Sequence, residues 1–270
     1  PARHCPLYGG CVYFEQRKAL VGAQVIVVNH DLLLSTLGSR QLPELDQCLL
    51  VLDEAHHLPA IALEQFGCRA GLTRLAWIDQ LASRALNAGQ EVELDALADV
   101  PPAAARLRQA LQEVARLAVQ TWGARLREVV GDGQPLCVRL PRGRLPDGFD
   151  VPLQEAAQAS AAFLDALRAV SAALRAALRE RPDEARRLSQ LYAQLGTLAP
   201  RLEAAHDTVR WLLHEPPEGE APLAKWFTLS APGAGAVGDT VRVQAHASPI
   251  QPGGLLRTRL WSGVRGAVLT

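Results

Sequence analysis

The apolar run Cys48-Leu49-Leu50-Val51-Leu52 ends in two adjacent acids, Asp53 and Glu54, followed at once by Ala55, His56 and His57. Carboxylates at the C-terminal edge of a buried strand suit nucleotide hydrolysis. One can enter the shell of a bound Mg²⁺ ion, and its neighbour can orient a water for attack on a phosphoryl group. His56 follows on the same turn, where an imidazole can bridge the γ-phosphate side and a neighbouring domain. The acids also have a structural alternative: negative side chains are favoured at a helix N-terminus, and a helix can begin near Leu58. A zinc-peptidase reading of Glu54, His56 and His57 fails, because two helical histidine ligands must stand about four residues apart to share a face and these are adjacent.

Five cysteines, at 5, 11, 48, 68 and 137, make an odd set that suits metal ligands and buried thiols in a reducing compartment better than a secreted disulfide framework. Cys5 and Cys11 read either as two ordinary thiols or as half of a zinc site. Cys48, Cys68 and Cys137 have no partner in sequence and read as buried thiols. Arg139, Arg142 and Arg144 lie in a Gly- and Pro-containing loop suited to phosphate contact, since guanidinium is a multidentate donor; solvated loop arginines are the alternative. Asn29 and His30 follow an apolar run, where they either line a cleft or cap the helix that begins at Asp31. Trp122, Trp211, Trp226 and Trp261 could stack on bases, yet each falls in or beside an apolar periodic stretch and is expected in the core.

These residues need a frame. Gln24-Val25-Ile26-Val27-Val28 and residues 48–52 have the pattern of strands buried on both faces of a parallel sheet, with a short helix between them. Residues 72–86, 103–130, 153–181 and 183–213 are helical in period, the last with apolar positions alternating three and four apart and Pro200 set to kink or split it. Loops are expected at 131–151 and 215–222, and strands return at 240–245 and 266–270. The fold class is α/β plus α: an α/β domain interrupted by a helical insertion.

Composition bounds the partners. The 28 basic and 28 acidic residues cancel, so any contact with nucleic acid must use a local patch. No apolar run approaches the roughly 20 residues of a membrane span and no signal-peptide pattern opens the chain, which points to the cytoplasm. No methionine occurs, and the last residues stop inside an apolar run, so both ends read as cut.

Several segments match one family in order: Cys5-x5-Cys11, then Val28-Asn29-His30-Asp31-Leu32-Leu33, then Leu50-Val51-Leu52-Asp53-Glu54-Ala55-His56-His57-Leu58. This resembles the bacterial DinG-like helicases, relatives of XPD. The later segments Ala224-Lys225-Trp226, Ala247-Ser248-Pro249-Ile250 and 255–261 are similar to the family's re-entry into its motor domain.

The resemblance implies four regions: 1–22, a remnant of an iron–sulfur cluster domain; 23–70, the first part of a RecA-like motor domain with its DEAH box; 71–222, a mainly helical Arch insertion; and 223–270, the motor's return, ending before a Ser-Ala-Thr motif. It implies a bacterial ATP-dependent helicase moving 5′-to-3′ on single-stranded DNA in repair or replication, with Mg²⁺ held by Asp53, ATP met by Asp53 and Glu54, and His56 completing the catalytic set. Cys5 and Cys11 would be two of four ligands of a 4Fe-4S cluster, and Asn29, His30, Arg139, Arg142 and Arg144 would touch DNA. The partners implied are single-stranded DNA, ATP and proteins of repair or replication, the protein acting as a monomer without a membrane. The resemblance also leaves room for an exonuclease domain fused upstream. No Gly-x-x-x-x-Gly-Lys-Ser/Thr loop occurs, so these residues alone are not expected to turn over ATP. The competing reading is a non-catalytic helical module that binds DNA or protein and keeps a degenerate ATPase motif.

Overall fold

A computed structural model of the chain describes residues 11–37, 42–94, 97–129, 134–217, 223–231 and 241–270. In chain order the regular elements are α1 (Val12–Ala19), α2 (His30–Ser35), β1 (Leu49–Leu52), α3 (Leu58–Phe66), β2 (Cys68–Gly71), α4 (Ala76–Glu91), α5 (Val100–Val129), β3 (Leu136–Arg139), α6 (Asp150–Glu180), α7 (Ala185–Gly196), α8 (Ala199–Leu213), β4 (Leu223–Ser230), β5 (Arg242–Pro249), α9 (Gly253–Arg259) and β6 (Gly266–Leu269). The chain is mixed α/β and mostly helical. It divides into two compact units, one of Cys68–Ala247 and one of Ala2–Gly67 with Ser248–Thr270.

In the larger unit the helices bury one stripe each. Leu107, Leu111, Val114, Ala118 and Trp122 on α5 face a core shared with Leu153, Phe163, Leu167, Val170 and Leu174 on α6, all at helical spacing. Gly89 on α4 sits where a Cβ would lie 2.3 Å from a Leu97 methyl, so the Leu97 side chain packs there only because position 89 has none. The expected helix over 183–213 forms as two, α7 and α8, with Pro200 in the first turn of α8, where its missing N–H costs nothing. Under these helices lies a four-stranded sheet of order β2-β5-β4-β3, with β2–β5 and β3–β4 antiparallel. Alternate residues Val138, Phe227, Leu229, Val243 and Ala245 point into the core, where Phe227, Trp122 and Phe149 pack with ring centroids 5.2–5.7 Å apart.

This sheet corrects two expectations. Strand β3 forms inside the loop expected at 131–151, because Leu136 and Val138 alternate with polar neighbours and pair with β4. The boundary expected between 222 and 223 also moves: β4 and most of β5 belong to the larger unit, since their inner faces complete its core, and the unit ends at Ala247.

In the smaller unit β1 and β6 pair in parallel, Leu49 opposite Gly266 and Leu52 opposite Leu269. Leu33, Leu34, Leu52, Leu58, Ala62, Phe66, Leu256 and Leu260 form its core. The strands are not buried on both faces as expected. Leu49 and Val51 are 75% and 69% exposed, because the helices of this unit cover only the face that carries Leu52. Residues 24–28 join no ladder either; with no neighbouring strand among the described residues, Val25 and Val27 stand open to solvent.

Candidate active site

The acids leave β1 at its C-terminal end, beside the end of β6. The Thr270 N–H donates to the Leu52 carbonyl and the Ala55 N–H donates to the Thr270 carbonyl, both at 3.0 Å, so the chain from β6 is stitched across the turn that carries Asp53 and Glu54. The Thr270 hydroxyl donates to Oδ1 of the exposed Asp53 at 3.0 Å, which orients the carboxylate. Glu54 has φ 51° and ψ 44°, a left-handed conformation that costs a non-glycine residue roughly 1 kcal/mol. A short 3₁₀ turn, Ala55–His57, then leads into α3.

Neither acid caps a helix. The residue preceding the 3₁₀ turn is Glu54 and the one preceding α3 is His57, and neither side chain accepts a capping hydrogen bond. The alternative in which these side chains cap a helix by hydrogen bonding is therefore not realised. Instead Glu54 Oε2 meets His56 Nδ1 at 3.2 Å, and the His56 and His57 rings lie 3.9 Å apart at 41°. The ligand atoms of Glu54, His56 and His57 gather within 4.8 Å of one another on the exposed surface, a grouping that sequence spacing did not predict.

The other candidate residues are scattered. Asn29 is the N-cap of α2, its Oδ1 accepting the Leu32 N–H at 2.8 Å, so the capping alternative is realised. His30 is the first residue of that helix and half-buried. No hydrogen bond or ion pair among the described residues joins either to Asp53, Glu54 or His56. Arg139 ends β3, and Arg142 and Arg144 follow on a tight turn in which Arg142 has φ 54°; all three belong to the larger unit and are exposed. Cys11 is half-buried at the start of α1, while Cys5 lies outside the described residues.

Two thiols are half of what a cubane cluster takes, so the pair Cys5 and Cys11 does not complete its ligand set. Cys137 is exposed on β3 rather than buried, because it falls on the outer register of the strand. Trp226 is likewise half-exposed on the outer face of β4, not in the core, while Trp122 is buried as expected. Sequence reasoning also missed Thr270, whose only signal is a hydroxyl directly after the apolar run of β6.

The DEAD_2 family model matches residues 4–70, which contain the acids and their turn. Over nearly its whole length the chain is similar to proteins named ATP-dependent DNA helicase DinG: 28% identical to that of Photobacterium profundum, over 98% of this chain and 37% of that protein. It is 28% identical to that of Salmonella choleraesuis, over 99% and 37%. To that of Escherichia coli (strain K12) it is 29% identical over 84% and 31%. The chain is therefore similar to these helicases, and it spans about a third of the length of the curated relatives it matches.

Proposed function

We propose that the chain is the DEAH-bearing part of an ATP-dependent DNA helicase that moves 5′-to-3′ on single-stranded DNA in repair or replication. The observation that carries this reading is the strand end itself: two exposed carboxylates, one oriented by Thr270 and one in a left-handed conformation, with neither used as a helix cap. Backbone held in a sparsely populated region is concentrated at functional sites.

In this reading Asp53 offers a carboxylate oxygen to the shell of a Mg²⁺ ion, which when bound supplies positive charge to the phosphates of ATP. Glu54 accepts a hydrogen bond from the water that attacks the γ-phosphate. His56, already beside Glu54, reads the state of the site. The smaller unit is the motor segment and the larger unit the Arch-type insertion. Cys5 and Cys11 contribute two of the four thiolates of a 4Fe-4S cluster, and Asn29, His30, Arg139, Arg142 and Arg144 lie on the path of the DNA. The segment alone lacks the phosphate-binding loop and does not hydrolyse ATP. The relatives' names and the DEAD_2 match support the class.

The test is DNA-stimulated ATP hydrolysis by the full-length protein and its Glu54→Gln variant. Removing the water-orienting carboxylate is expected to lower turnover at least about a hundredfold, the lower end of what a positioned acid–base group contributes. Wild-type turnover in the variant refutes the assignment.

A further inference from the structure

The four-stranded sheet has a second face. On its inner side the strands bury apolar residues, with Lys225 the one charged exception, but the outer positions carry a row of a different kind. In strand order β2-β5-β4-β3 it reads Arg69, His246, Trp226, Arg139. Arg69 is the register partner of His246, and Arg139 that of Trp226. The His246 and Trp226 rings are stacked, centroids 5.0 Å apart and planes within 4°. Thr228 holds the imidazole from the same face, its hydroxyl 3.0 Å from Nε2. With strands about 4.8 Å apart, the row crosses roughly 14 Å of surface.

Charge on this sheet has one sign. The four strands contain Arg69, Arg139, Lys225 and Arg242 and no acidic residue. Lys225 faces inward; Arg69, Arg139 and Arg242 are exposed, and none has an ion-pair partner among the described residues. Four arginines elsewhere in the unit do form ion pairs, Arg108–Asp79, Arg116–Glu113, Arg168–Asp165 and Arg187–Glu91.

A stacked aromatic pair flanked by unpaired guanidinium groups is complementary to a polyanion whose π-faces are free. The geometry points to this outer face as a binding platform for single-stranded nucleic acid: a base extends the Trp226–His246 stack, and Arg69, Arg139 and Arg242 meet the phosphates. Stacking on aromatic side chains tolerates any base, and the arginines follow the backbone. Duplex DNA keeps its bases stacked on one another and offers the row no free face. The inference rests on the helicase reading only for the choice of DNA over RNA. It adds a contact surface in a unit that contains none of the ATPase residues.

The test is titration of the 270-residue chain against fluorescein-labelled oligothymidylate, its oligouridylate counterpart and a duplex of equal length, over a range of salt. Trp226→Ala is expected to weaken single-strand binding about five- to hundredfold, the loss of one stacked base, with Trp226→Phe keeping most of it. Arg69→Gln and Arg139→Gln, at exposed positions that leave the fold intact, are each expected to lower the slope of log affinity against log salt by about 0.7. Undiminished binding by Trp226→Ala, unchanged salt slopes in both arginine variants, or equal affinity for duplex overturns the proposal. Absence of oligonucleotide binding does so too, and leaves the face to a protein partner. Preference for the uridylate keeps the platform and replaces DNA by RNA. The assay contains no ATP, so its failure is distinct from failure of the Glu54 experiment.

Discussion

Replacing Lys225 by methionine removes a charge from the inner face of β4 while keeping a stem of similar length. Lys225 is 4% exposed among apolar neighbours, and its ammonium donates to the carbonyls of Leu212 and His214, each at 2.7 Å. Those carbonyls end α8, where the last helical C=O groups have no partner in the helix and a cation is favoured. Leu212 is fully buried, so without the ammonium its carbonyl loses its partner with no water in reach, a cost of about 1–3 kcal/mol. His214 is exposed, and water takes over there at little cost. Against this stands the desolvation of the ammonium, which holds the Lys225 pKa below its ordinary 10.5 despite an opposing pull from Glu215. A net loss of about 1 kcal/mol follows, or roughly 2–4 °C in Tm for a unit of this size.

The assay is thermal unfolding of both proteins by circular dichroism, with urea midpoints as a second readout. The pH dependence has a definite sign. A lysine whose folded pKa is depressed binds fewer protons folded than unfolded, so wild-type stability rises as pH climbs from that folded value towards 10.5, and the gap to the variant widens over this window. A midpoint unchanged within about 1 °C refutes the reasoning, because it would mean the end of α8 needs no buried donor.

Two other outcomes follow from the larger unit. His206 meets Ser160, fully buried on α6, at 2.8 Å, and burial lowers its pKa from 6.5; a depressed histidine adds stability above 6.5 that is lost as pH falls through 6.5 towards the folded value, so Tm measured from pH 7.5 downward should drop in wild type and flatten in His206→Gln. Burial pushes the Cys68 thiol up to about 11, whereas Cys137 is exposed, so iodoacetamide at pH 8 followed by peptide mapping should find Cys137 alkylated long before Cys68.

Local patterns were legible in the sequence. The helical stripes of α5 and α6, the break at Pro200 and the acids ending an apolar run each depend on neighbours within a turn or two, and a period of 3.6 or 2 records them directly. What the sequence concealed was non-local. Cys137, Arg139 and Trp226 became outer-face residues only through the register of β3 on β4, and Arg69 met His246 only through that of β2 on β5. An apolar run announces that a strand is suited to burial on both faces without saying what covers them, and Leu49 and Val51 stay exposed. The cap at Asn29 was legible in the sequence, and the Leu32 N–H completes it by donating to Oδ1.

The acid site shows how one distant residue governs a local motif. Asp53 and Thr270 are 217 positions apart, and they meet because β1 and β6 pair in parallel, a pairing that always requires a long crossover. Size favours this register: a Cβ on Gly266 would lie 2.9 Å from Leu49 Cδ2, so the leucine keeps its place only opposite a residue without a side chain. A slip by one position would bring Ala267 into that contact, turn every side chain of β6 to the other face and carry the Thr270 hydroxyl away from Asp53. The orientation of the carboxylate therefore rests on a glycine at the far end of β6 as well as on the threonine that touches it. The turn after β1 supplies the carboxylates, and the strand that returns after the larger unit in sequence supplies their geometry.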